Sequence, residues 1–134
     1  MIQRNPFLPA LLVALVLLAC SMSSCGDEIL TDPKQVVFPD SNVSYLQHVQ
    51  PFFNLTCTFS GCHSSDSRAG DLALTTYMEF IDHPGLIIEG HPDNSVLAQM
   101  LESKLPHSAD LSDRITQNHI NGIRQWIKEG AQNN

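Results

Sequence analysis

The sequence is poor in positive charge: 7 Lys and Arg stand against 14 Asp and Glu, for a formal net charge of −7. Nucleic acid is thereby excluded as a partner, because binding it depends on Lys and Arg neutralising phosphates, and no basic patch exists. Paired carboxylates, a Ser-His-Asp set and a phosphate-binding glycine loop are also missing, so neither hydrolysis nor acid–base catalysis is expected and the protein reads as a non-enzyme. No internal repeat and no convincing pair of strands is present. The one long apolar run, Pro6 to Ala19, is shorter than the ~20 residues a membrane-spanning helix needs. With Arg4 ahead of it, the run reads as the apolar centre of an export signal.

Two cysteines follow that run, Cys20 in LLAC and Cys25 in MSSC, and both resemble bacterial lipobox sites at which a cysteine is lipidated and becomes the mature N-terminus. Cys25 is the preferred site, since cleavage before it discards Cys20 and leaves only Cys57 and Cys62 as thiols in the folded part; Cys20 is the alternative, and an ordinary cleaved signal is a third. The expected organisation is a signal over 1–24, a tether over 25–39, one domain over 40–131 and a loose tail over 132–134. The expected location is the cell envelope, as a periplasmic or outer-membrane lipoprotein held to the membrane by its N-terminal lipid. Removal of the signal takes away Arg4 and no acid, so the mature surface stays acidic. A redox partner with a basic docking face fits that charge, and so does ordinary solubility.

Within the domain the elements are short. Asp40 and Ser41 are placed to cap a helix through Asn42 to Gln50, with Val43, Leu46 and Val49 as its apolar stripe and Pro51 kinking or restarting it before Cys57. Thr75 or Thr76 starts a second helix that ends near His83-Pro84. Two His-Pro pairs and two glycines make the next stretch a loop, although Leu86, Ile87 and Ile88 are too apolar to face water. Asn94 or Ser95 caps a third helix, with Val96, Leu97, Met100 and Leu101 on one face, and Pro106 stops it. Ser112 begins the last and clearest helix, with Ile115, His119 or Ile120, Ile123, and Trp126 or Ile127 recurring at three- to four-residue intervals and Gly130 just past its end. The expected fold is all-α, four to five short helices with long ordered loops. A chain of this size makes a thin core, which a cofactor at its centre would complete.

Residues 57–63 read Cys-Thr-Phe-Ser-Gly-Cys-His. Covalent haem attachment needs two thiols to add across the vinyl groups on one edge of a porphyrin, with a neighbouring imidazole to reach the iron. Cys57 and Cys62 supply the thiols and His63 the proximal ligand. The usual loop between the thiols has two residues; here it has four, and Gly61 gives the wider loop its backbone freedom. The plain alternative is a Cys57–Cys62 disulfide in an exported structural or binding protein, with His63 incidental. A Cys-Cys-His zinc site is a third reading and needs a fourth ligand.

Beyond the motif, residues 43–131 resemble the small cytochrome c-like domains of the planctomycete type found in exported bacterial proteins. The likeness rests on Val49-Gln50-Pro51-Phe52-Phe53 before the cysteines and on Gly70-Asp71-Leu72-Ala73-Leu74-Thr75-Thr76-Tyr77 after them. An element from Ile87 to Gly90 with Pro92, Ser95 and Leu97 follows, and the ending runs Ile123-Arg124-Gln125-Trp126-Ile127-Lys128-Glu129-Gly130-Ala131. The resemblance implies one covalent haem c and single-electron transfer to a redox partner protein in the envelope. It also implies a Met-Pro pair whose methionine is the second axial ligand, where this chain has Leu105-Pro106. Leucine cannot bind iron, so Leu105 and Pro106 are expected only to line the haem pocket. His107 and Met100 are the candidate distal ligands, each with an ordinary structural role as the alternative. A five-coordinate iron beneath Leu105, suited to binding or sensing a small ligand, is the remaining possibility. His48, His83, His91 and His119 receive no role.

Overall fold

The computed structural model describes residues 29–134, so the signal segment and both lipidation candidates, Cys20 and Cys25, lie outside the described residues. The fold is all-α: no strand occurs among the described residues, and none of their helices is long and apolar enough to cross a membrane. Four α-helices carry the domain: α1 Gln50–Thr56, α2 Tyr77–Ile81, α3 Val96–Leu101 and α4 Gln117–Lys128, joined by ordered loops with short 3₁₀ turns at Pro33–Gln35, Ala69–Asp71 and Pro92–Asn94.

The entry to α1 departs from the expected helix. Asn42 is left-handed (φ 56°), and the turn starts only at Tyr45, capped by Ser44, whose hydroxyl accepts from the Gln47 N–H at 3.2 Å. Tyr45–Val49 is a π-helical turn that runs straight into α1. Pro51 explains the widening: it has no N–H to donate, and its ring would strike the Gln47 carbonyl of a regular helix. The wider turn rotates the stripe, so Tyr45, Val43 and Val49 are buried while Leu46 is 58% exposed.

Helix α2 begins where Thr76 and Glu79 form a reciprocal capping box. Helix α3 follows Ser95, but the Ser95 side chain does not cap it. The Gly85 and Leu86 carbonyls accept the Val96 and Leu97 N–H groups instead, at 3.1 Å each. That frees the fully buried Ser95 hydroxyl to accept from the Ile88 N–H and donate to the His91 carbonyl, which closes the loop. Leu86 and Ile87 are buried as their apolarity demanded, whereas Ile88 remains 38% exposed. Helix α4 starts five residues later than expected. Thr116 caps it and pairs with His119 in a second reciprocal box, while the Ser112 N–H is taken by Asp110 Oδ1 in a local turn. Helices α3 and α4 both end in Schellman motifs, through Lys104 N–H to Gln99 and Ala131 N–H to Trp126.

Two boundaries expected from the sequence are corrected by packing. The tether of residues 25–39 ends early, because Val36 and Phe38 are each 3% exposed and belong to the core. Asn118 clamps the Phe38 backbone at both its N–H and its carbonyl (2.9 Å each), and His119 Nε2 bonds the Val36 carbonyl at 3.0 Å. His119 thus has a structural role the sequence did not reveal, and its burial holds its pKa below the ordinary value. The tail over 132–134 is not loose. The Asn134 carbonyl oxygen accepts from Leu46 N–H and Ser44 Oγ and its side-chain oxygen accepts from Tyr45 N–H, so the end of the chain caps the first helical turn. Free N–H groups at a helix start need acceptors, and Asn134 supplies two.

Gly122 on α4 is where Phe38 lies against the helix, and a Cβ there would fall within the space of the Phe38 side chain. Gly122→Ala should therefore displace the Val36–Phe38 segment and cost about 1–3 kcal/mol through overpacking. Urea denaturation checks this; a midpoint equal to or above that of the parent would show that Phe38 is not held against α4.

Candidate haem-attachment site

Helix α1 roots the first cysteine. Phe52 and Phe53 are fully buried, the Cys57 N–H closes the helix on the Phe53 carbonyl at 2.8 Å, and the Thr56 hydroxyl donates to the Phe52 carbonyl at 2.7 Å. Cys57 is 4% exposed, with its Sγ 3.2 Å from Thr56 Oγ1. Burial pushes its thiol up to about 11, against the opposing influence of the Thr56 contact and the Arg114 charge, so it rests as a neutral thiol rather than a thiolate.

The four residues after Cys57 fold into a closed loop. The Cys62 N–H bonds the Phe59 carbonyl at 2.9 Å, Gly61 takes a left-handed φ of 84°, and the Gly61 N–H donates to Ser67 Oγ at 2.7 Å. Nothing crowds the Gly61 Cα, so glycine is needed there for the dihedral angle and not for space. The loop ends with the His63 N–H on the Cys57 carbonyl at 3.0 Å, which brings the histidine back beside the first cysteine despite the longer spacing. The Leu72–Leu74 segment then fixes His63: Leu74 N–H donates to the His63 carbonyl at 2.9 Å, and His63 Nδ1 lies 3.1 Å from the Leu72 carbonyl. Since a carbonyl can only accept, Nδ1 carries the ring proton and Nε2 is left with its lone pair.

Cys57, Cys62 and His63 form one side of an apolar cleft whose deeper walls are Leu74, Leu86 and Leu97. The cleft encloses about 230 Å³, and about 800 Å³ when the open solvent at its mouth is counted; the enclosed part is smaller than the ~300–1,000 Å³ usual for cofactor and small-molecule sites. The segment after α3, with Leu105, Pro106 and His107, also lines it, as does Met100 of α3. The structure therefore brings every sequence-derived pocket residue into one cleft. The His63 and His107 rings face the same space with centroids 6.0 Å apart and planes at 47°.

No family model, curated protein or solved structure matches the chain. The cleft must accordingly be read from its own chemistry.

Cys57 and Cys62 are both free thiols, and among the described residues no three His, Cys, Asp or Glu side chains are grouped to hold a metal ion. A thiolate zinc centre needs four such ligands, and the neutral, buried Cys57 is a poor member of one. A flat apolar cofactor fits better: the donors sit on one lip of an apolar slot, two thiols and one imidazole with a free Nε2. His48, His83, His91 and His119 lie outside the cleft. What sequence reasoning missed is the contact in which the Arg114 guanidinium stacks 4.9 Å over the Phe59 ring. It ties the thiol loop to the segment leading into α4, and no local pattern links positions so far apart. The two leucines of the Gly-x-Leu-x-Leu segment were visible as a motif, but not their work: Leu74 walls the cleft and the Leu72 carbonyl sets the His63 tautomer.

Proposed function

We propose that the protein is a single-haem c-type cytochrome that carries one electron at a time between partners in the cell envelope. The observation that carries this reading is the convergence of Cys57, Cys62 and the Nδ1-anchored His63 on one lip of an apolar cleft. Haem c bound there through two thioether bonds would supply an iron that cycles between ferric and ferrous. The chain's own residues do the rest. Leu72 orients the His63 ring and fixes its tautomer through the Nδ1 hydrogen bond. Leu74, Leu86 and Leu97 keep water from the interior, which lowers the local dielectric around any charge placed in the cleft.

The acidic net charge suits a redox partner with a basic docking face. The apolar run before Cys20 and Cys25 supports export and lipid anchoring, with Cys25 as the preferred site.

Intact mass and optical spectra of protein made in a host with haem c maturation machinery test the proposal. The expected product is red, carries one haem increment and keeps it on denaturation. A colourless product whose mass falls short of the polypeptide by two hydrogens would instead establish the Cys57–Cys62 disulfide and sink the cytochrome reading.

A further inference from the structure

The segment where the resemblance calls for methionine holds Leu105-Pro106, and leucine cannot bind iron. We propose that His107 is the second axial ligand, giving a bis-histidine iron; this rests on the haem c reading above.

The first support is spacing. Metal–imidazole bonds are about 2 Å long, so two histidines bound through Nε2 to one metal ion hold their ring centroids roughly 6 Å apart. The His63 and His107 centroids are 6.0 Å apart. No hydrogen bond joins the two rings, so a direct imidazole–imidazole bond does not set that distance.

The second support is that both rings are held in the same way. His63 Nδ1 sits 3.1 Å from the Leu72 carbonyl and His107 Nδ1 sits 3.1 Å from the Ala109 carbonyl. His107 Nδ1 also lies within reach of the Ala109 N–H at 3.2 Å, so in either tautomer the Ala109 backbone occupies Nδ1 and Nε2 has no partner. With Nδ1–H given to the carbonyl, Nε2 presents its lone pair, the arrangement common to metal-binding histidines.

The third support is the segment itself. Pro106 fixes its own φ and biases Leu105 to an extended backbone, which sets the direction in which His107 leaves the chain. A second, open cavity of about 620 Å³ shares Met100, Leu105, Pro106, His107, Ala109 and Leu111 with the cleft. His107 thus borders open space in both cavities, free to adjust by fractions of an ångström as a bond forms. Met100 is the rival: it lines the same two cavities, but it belongs to α3 and also packs against the hydrophobic core. An apolar role accounts for it fully.

The test uses holoprotein matured in a haem c-competent host. The parent is expected to be low-spin in both oxidation states and not to bind carbon monoxide readily. His107→Ala should retain the haem mass, turn high-spin and bind carbon monoxide, and added imidazole should restore the low-spin spectrum. Met100→Leu should stay low-spin. A parent that is high-spin and binds carbon monoxide at once, a His107→Ala spectrum identical to the parent, or conversion by Met100→Leu in place of His107→Ala would each overturn the assignment while leaving covalent haem intact. Loss of the haem mass from the parent itself would overturn the cytochrome reading and this one together. His107 is exposed and on a loop, so its replacement leaves the core untouched.

Discussion

Cys57→Ala combined with Cys62→Ala is expected to abolish covalent haem: material from a haem c-competent host should be colourless after denaturing extraction and weigh no more than its polypeptide and any lipid. In the proposed attachment each thiol would contribute one of two thioethers, and without either a haem would be held only by His63, by His107 and by apolar contact. Single replacements should differ in kind. Cys62→Ala leaves Cys57, which is rigidly seated at the end of α1 through its N–H bond to Phe53, so one thioether should persist. Cys57→Ala leaves Cys62, which sits on the loop and is only partly buried, so the surviving bond is held by a less constrained residue. The expected order of haem retention is parent, then Cys62→Ala, then Cys57→Ala, then the double variant with none. The measurement is intact mass with the denatured haem absorbance. Full haem retention in the double variant would refute covalent attachment at these two positions.

Trp126→Ala is expected to destabilise the domain by about 3–5 kcal/mol, the range for truncating a buried aromatic residue. Small domains are stable by about 5–15 kcal/mol in all, so this one change removes a large share and lowers the melting temperature by well over 10 °C. Trp126 is fully buried; its ring packs edge-on against Phe80 with centroids 6.2 Å apart, and is tilted over Tyr45 at 5.9 Å. Its Nε1 donates to the Gln132 carbonyl at 3.0 Å, and its own carbonyl accepts the Ala131 N–H that ends α4. Trp126 therefore joins α4 and the C-terminal segment to the aromatic cluster around α1 and α2. Trp126→Phe should cost less, since it keeps most of the apolar volume and loses chiefly the bond to Gln132. Thermal unfolding followed in the far ultraviolet decides it. A loss below about 1 kcal/mol for alanine would mean that the cluster closes over the gap.

The helices were legible where their signals are local. Thr76 and Glu79 lie three residues apart and cap α2 by bonding each other's backbone, so the start of that helix is written in four consecutive residues. The same locality closes Cys57, Gly61, Cys62 and His63 into one loop, since the His63 N–H bonds the Cys57 carbonyl only six residues back. Ser112 misled as the start of α4 because its N–H is taken up in a local turn by Asp110, and the helix begins only after the Thr116 cap.

By itself the sequence determined the helical class, the order of the elements, and the thiol–thiol–imidazole cluster, because each depends on hydrogen bonds and side-chain periods spanning a few residues. Tertiary structure alone decided that Val36 and Phe38 belong to the core, that Asn134 caps the first helical turn, and that His107 stands 6.0 Å from His63. Those facts join positions from 44 to 89 apart, and burial of apolar surface, which drives such contacts, has no direction and leaves no local pattern to read.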